Sequence, residues 1–247
     1  MTRVALPFFS LALGAVLLGV IRQPEVEAIV PSQSHSGMAE GTIGLVLDAV
    51  TPADPIDDEH AELRRRVHDA EAGTYIGEIL RERDSSLARW PDRHGIPLTV
   101  WIQPRSSVSG FASAYIANVR DAFREWDALH LPVSFAFVDD SADADVHVNW
   151  IDRFDEPISG RTRWARDDDW AITDANIMLA VHHHQGDQLD DEAMRAMALH
   201  EIGHLLGLDH TTDSLSIMAP RVRVRELSDA DRATVRLLYA LPAGPLR

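Results

Sequence analysis

The feature that most narrows what this chain can be is the stretch His200-Glu201-Ile202-Gly203-His204-Leu205-Leu206-Gly207-Leu208-Asp209-His210. Residues four apart stand one above the other on a helix face. His200 and His204 can therefore each aim one imidazole nitrogen at a single Zn²⁺, about 2.0–2.1 Å away. Glu201 lies beside that face without being a ligand, where its carboxylate can hold and deprotonate an attacking water. Gly207 lets the chain leave the helix in a conformation other residues resist, which turns His210 back as a third ligand. Three neutral nitrogens with one open position make a catalytic site rather than a structural one.

Further on comes Ser216-Ile217-Met218-Ala219-Pro220. Alone, a methionine between Ile217 and Ala219 reads as core filler. Behind the histidine stretch it resembles the Met-turn that floors the zinc site of metzincin peptidases. The spacing from His210 to Met218, and Pro220 two residues later, resemble the matrixin (matrix-metalloproteinase-like) branch. Further similarity extends over most of residues 96–241. Ala122-Phe123-Arg124-Glu125-Trp126 and Val133-Ser134-Phe135 are similar to the first helix and second strand of matrixin domains. Ala144-Asp145-Val146 is similar to the third strand, and Leu227-Ser228 through Leu237-Leu238-Tyr239 to the final helix.

The resemblance implies an α/β (α+β) fold of the metzincin or zincin type. Such a fold has a twisted, mostly parallel sheet above the cleft, a zinc helix and a small lower lobe. It also implies a zinc-dependent endopeptidase with one catalytic Zn²⁺, ligands His200, His204 and His210, Glu201 as general base, and a polypeptide substrate. That substrate would lie extended along the outermost strand, for which Arg161, Thr162, Arg163, Trp164 and Ala165 are the candidate. A catalytically silent module holding peptides in the same groove is the alternative; its expected mark is loss of the glutamate or of a ligand, and neither is lost.

The chain departs from the family pattern in several places. Thr211 stands where matrixins usually carry Ser, and no Tyr follows the Met-turn as a fifth ligand. Cysteine is absent, so the matrixin cysteine switch cannot exist, and disulfides are excluded. The segment Arg221 to Glu226 is short, which implies a shallow or open pocket for the side chain after the cut bond. Its three arginines either favour acidic substrates or are solvated surface charge.

Other clusters carry less. His182-His183-His184 fall on successive residues of a strand, whose side chains alternate between faces and do not converge easily. Asp167-Asp168-Asp169 offers oxygens of the kind Ca²⁺ takes, and equally reads as a solvated acidic loop. His147 does not fall at the position of a matrixin structural-zinc histidine.

Coarse periodicity supports this organisation. Leu98–Ile102, Val133–Val138, Val146–Ile151, Arg161–Ala165 and Asp174–Val181 read as strands. Phe111, Tyr115, Val119, Ala122, Trp126 and Leu129 form one stripe of a long helix. Asp190 or Asp191 caps the histidine-bearing helix, and Ser228 with Asp231 opens the last one. With the resemblance, residues 96–247 are expected to be the matrixin-like zinc metallopeptidase domain. Residues 29–95 are a linker and helical segment, in which Gly73 and Gly77 separate two helices and the second carries Ile76, Ile79, Leu80 and Leu87. This segment is placed as a propeptide would be, with Asp92 as a substitute for the missing thiolate, or is an accessory lobe. It also admits a reading as a membrane-tethered scaffold or partner-binding segment to which the peptidase is appended.

At the N-terminus, Arg3 precedes the uncharged run Val4 to Ile21. That is the outline of an export signal, long enough to serve as a retained anchor, so residues 1–28 are either cleaved or kept. The protein is expected to be exported, with membrane contact only through this segment. With 39 acidic against 23 basic residues among 247, and a net charge of −16, nucleic acid is not an expected partner.

Overall fold

The computed structural model describes residues 72–246, together with Glu62, Arg65 and Val67 ahead of them. The apolar run Val4–Ile21 and most of the first helix expected in residues 29–95 lie outside the described residues. Among the described residues no helix is long and apolar enough to cross a membrane.

The elements run α1 (Ile76–Glu82), β1 (Ser86–Leu87), β2 (Leu98–Ile102), α2 (Ala114–Asp127), β3 (Phe135–Val138), β4 (Val146–Ile151), β5 (Gly160–Arg166), β6 (Ile172–Ala180), α3 (Asp191–Leu205), α4 (Asp229–Ala240) and β7 (Gly244–Pro245). Five strands form one sheet in the order β3-β2-β4-β6-β5. The pairs β2–β3, β2–β4 and β4–β6 are parallel, and β5 alone runs antiparallel, against β6. The fold is thus the mostly parallel α/β arrangement expected of the metzincin class, with β5 at the sheet edge.

Strands β2 and β4 alternate buried and half-buried positions along their length. Helix α2 presents Tyr115, Val119, Ala122, Phe123 and Trp126 to the core; four of these belong to the expected stripe, whose end members Phe111 and Leu129 lie just outside the helix. Helix α3 is buried almost all round, with Met194, Ala196, Ala198, Leu199, Ile202 and Leu205 enclosed; such a helix sits within a core rather than on it. Two indole N–H groups fix it: Trp126 Nε1 donates to Leu199 O at 3.0 Å and Trp90 Nε1 to Leu205 O at 2.9 Å. Asp190 caps it, its carboxylate accepting from Ala193 N at 2.7 Å. Helix α4 opens with a full capping box between Ser228 and Asp231.

The segment ahead of residue 96 departs from its expected pattern. Helix α1 runs through Gly77 and stops at Glu82, where Asp84 and Ser85 take positive φ values of 51° and 61°. Leu87 is therefore not on the helix but on β1, paired with Gly244 of β7. Tyr75, Ile76, Ile79, Leu87, Ala88 and Trp90 belong to the same hydrophobic cluster as the sheet and α3.

Candidate active site

Helix α3 carries His200 and His204 on one face, and the turn after it carries His210. Gly207 makes that turn with φ of 100°, and a Cβ there would stand 2.1 Å from Ala88 O. Both its conformation and its closeness to the neighbouring backbone demand glycine. The three Nε2 atoms lie 3.2 Å (His200–His204), 3.2 Å (His204–His210) and 3.3 Å (His200–His210) apart. Three donors about 2.0–2.1 Å from a tetrahedral centre would be separated by roughly 3.3–3.4 Å, so the triad fits Zn²⁺. His200 Nδ1 is 2.7 Å from Ile217 O and His204 Nδ1 is 2.8 Å from Leu208 O. Those carbonyls hold the Nδ1 protons and turn the Nε2 lone pairs inward. Burial lowers the pKa of His200 to about 4 and, with the neighbouring His200, that of His204 to about 3. Both rings are then neutral and able to ligate at neutral pH. Among the described residues this is the one group of side chains able to hold a metal.

Glu201 is buried, and desolvation raises its pKa to about 7 against the opposing hydrogen bond from Thr162. Thr162 Oγ1 lies 2.7 Å from Glu201 Oε2 and 2.9 Å from Glu201 O. Next to it on β5, Gly160 has no room for a side chain, since a Cβ would meet Glu201 Oε1 at 2.3 Å. The edge strand thus positions the glutamate. This link has no signal in the sequence, because residues 162 and 201 belong to different periodic patterns.

Met218 is fully buried beneath the triad. Thr211 N donates to Met218 O at 3.1 Å. Asp231 anchors the turn from α4: its carboxylate accepts from Ile217 N at 3.0 Å, from Ser216 Oγ and from Tyr75 Oη at 3.1 Å. The sequence marks Asp231 only as a capping residue. Burial, with the Asp231 carboxylate next in weight, pushes the Tyr75 hydroxyl well above its ordinary pKa, keeping it a donor.

A cleft of about 960 Å³ runs past the histidines. Gly160, Arg161, Thr162, Arg163 and Trp164 line one wall, and Pro220, Arg221, Val222 and Arg223 another. Ala165 lies on β5 beyond this lining. Arg83 and Asp209 also face the cleft, paired at 2.5 Å, with the Arg83 guanidinium 5.2 Å from the Trp164 ring centre. Neither was marked by spacing or periodicity.

The other expected clusters turn elsewhere. His182 Nδ1 meets Asp152 at 2.8 Å, His183 Nδ1 meets Ser159 Oγ at 3.1 Å, and His184 Nδ1 meets Phe154 O at 3.1 Å. The three rings therefore do not converge. Asp167 closes a turn, accepting from Asp169 N and Ala171 N. His147 Nε2 contacts Ser141 O at 2.9 Å.

A mixed α/β unit, with two histidines one helical turn apart, a third returned by a glycine and a methionine turn beneath, defines a zincin-type protein of the metzincin class. The chain belongs to the Matrixin family, whose model matches residues 89–240. It is 30% identical over 144 residues to Metalloendoproteinase 1-MMP of Arabidopsis thaliana, covering 49% of this chain and 36% of that protein. The match thus takes in about a third of that relative's length. Matrixins are, as a family, zinc metalloproteases.

Proposed function

We propose that the protein is an exported zinc-dependent endopeptidase. His200, His204 and His210 would hold the metal through Nε2, and Glu201 would act as general base. The observation that carries this reading is the convergence of three imidazoles beside a buried carboxylate, all facing one cleft. When bound, zinc supplies a Lewis acid that polarises the peptide carbonyl and acidifies a neighbouring water.

The remaining chemistry belongs to this chain's own side chains. Glu201, with a pKa of about 7, is matched to proton transfer near neutrality. Its carboxylate takes a proton from the water as the oxygen attacks the carbonyl carbon. It then delivers that proton to the amine nitrogen as the C–N bond breaks. Thr162 orients the carboxylate through its hydroxyl. Met218 and the Asp231 anchor fix the floor beneath the ligands. The edge strand β5, which among the described residues has no strand on its outer side, would take the substrate backbone as an added strand. The single carboxylate base and intact ligand set favour catalysis over the silent peptide-binding alternative.

Residues 75–90 support the site in this reading. Glu78 receives Thr211 Oγ1 at 3.1 Å and Thr212 N at 2.8 Å, bracing the loop just after His210. Export rests on the Arg3 and Val4–Ile21 pattern, and fractionation of expressing cells tests it.

The function is tested by hydrolysis of casein before and after chelation. Cleavage should be lost on metal removal and restored by Zn²⁺. Cleavage that persists in a chelated protein shown by elemental analysis to be metal-free would overturn the reading.

A further inference from the structure

The chain as a whole is strongly acidic, with a net charge of −16, yet the cleft is not. Arg83, Arg161, Arg163, Arg221 and Arg223 line it against two carboxylates, Glu201 and Asp209. Glu201 belongs to the chemistry, and Asp209 is taken by Arg83 at 2.5 Å. Arg161 is held by Glu156 at 2.9 Å. Arg163, Arg221 and Arg223 are exposed; among the described residues none closes an ion pair, and the Arg163 charge, after that of Arg161, also acts on the exposed Glu156.

They stand on two separate segments that both line the cleft. Arg163 stands on the edge strand β5. Across from it, Arg221 and Arg223 alternate with Val222, which packs against the core, so both arginines lie on the other side of the segment. Guanidiniums are donor forks suited to carboxylates. At an ionic strength of 0.1 M the screening length is about 10 Å. Charges elsewhere on the acidic surface are then largely damped, while those lining the cleft act on whatever lies in it.

We propose that the cleft selects acidic polypeptide segments, with Arg221 and Arg223 on one wall and Arg163 on the other receiving Asp or Glu side chains that flank the scissile bond. This deepens the endopeptidase reading and rests on the same cleft being the substrate site. It assigns specificity to charge at the rim rather than to a deep apolar pocket.

The test uses two fluorescein-labelled peptides, identical except for Glu or Gln on both sides of a central Ala-Leu bond. Binding to the full-chain Glu201→Gln protein is followed by fluorescence anisotropy, with and without Zn²⁺, and hydrolysis is followed with the wild type. At 0.1 M salt the Glu peptide should bind about tenfold more tightly than the Gln peptide. The ratio should fall towards one at 1 M salt, where the screening length is about 3 Å. It should also fall in the Arg221→Gln/Arg223→Gln variant and, from the opposite wall, in Arg163→Gln. Equal binding of the two peptides, or an undiminished ratio in all these variants, would overturn the proposal. Preferential binding of the Glu peptide without hydrolysis of either would support the acidic specificity and overturn the endopeptidase reading. Hydrolysis of both peptides at equal kcat/KM would do the reverse.

Discussion

The sulfur of Met218 occupies the space that a side chain on Gly203 would need: a Cβ at residue 203 would stand 2.3 Å from Met218 Sδ and 3.4 Å from Trp126 Cζ2. The glycine between the two helical ligands and the methionine beneath them are thus two halves of one contact. Gly203→Ala would ordinarily strengthen a helix by roughly 0.5–1 kcal/mol. Here the overpacking, about 1–3 kcal/mol, should dominate. Thermal unfolding should show a net loss, and zinc affinity should fall with it because His200 and His204 flank the displaced turn. A stabilised Gly203→Ala protein would contradict this packing.

Thr162 is expected to act through Glu201. Thr162→Val keeps the side-chain shape and removes the hydroxyl. A hydrogen bond to a charged group contributes about 1.5–3 kcal/mol, so kcat/KM should drop roughly ten- to a hundredfold. Zinc content, measured by elemental analysis, should stay at the wild-type level. A parallel loss of metal would show that the threonine supports the ligands instead.

Asp231 joins α4, the methionine turn and Tyr75 through one buried carboxylate. Asp231→Ala leaves Ile217 N, Ser216 Oγ and Tyr75 Oη without their acceptor. Each stranded buried group costs about 1–3 kcal/mol, so the destabilisation should reach roughly 3 kcal/mol or more. Denaturant unfolding measures it. Tyr75→Phe, which removes one donor and leaves the turn anchored, should cost much less.

Residues 75–95 are expected to be needed for folding rather than for latency. Ile76, Ile79, Leu87 and Trp90 are each 1% exposed or less, and truncating a buried large apolar side chain costs about 2–5 kcal/mol. A chain starting at residue 72 should fold and cleave casein. One starting at residue 96 should be unstable. Equal or higher activity from the shorter chain would restore the propeptide reading.

Much of the site was legible because it is local. His200, Glu201, His204, Gly207 and His210 obey helix spacing and turn chemistry, and the capping residues Asp190 and Ser228 announce their helices. The strands β2 and β4 are equally plain, being short β-branched runs. What was not legible is carried by contacts between distant segments. Thr162 reaching Glu201, Asp231 reaching Ser216, and Glu78 bracing Thr211 depend on tertiary placement that no periodicity encodes. Leu87 misled for a related reason: it follows the helical stripe in sequence, yet the positive-φ residues Asp84 and Ser85 end the helix before it.

Glu201 as proton carrier beside a three-histidine zinc site is put to the test by Glu201→Ala. Zinc content by elemental analysis and casein hydrolysis should be measured on the same preparation. All three imidazoles remain, so zinc should stay near one equivalent, while hydrolysis should fall by about 10²–10⁴-fold or more. Added Zn²⁺ should not rescue it. Hydrolysis equal to that of the wild type, with the substitution confirmed, would contradict the account.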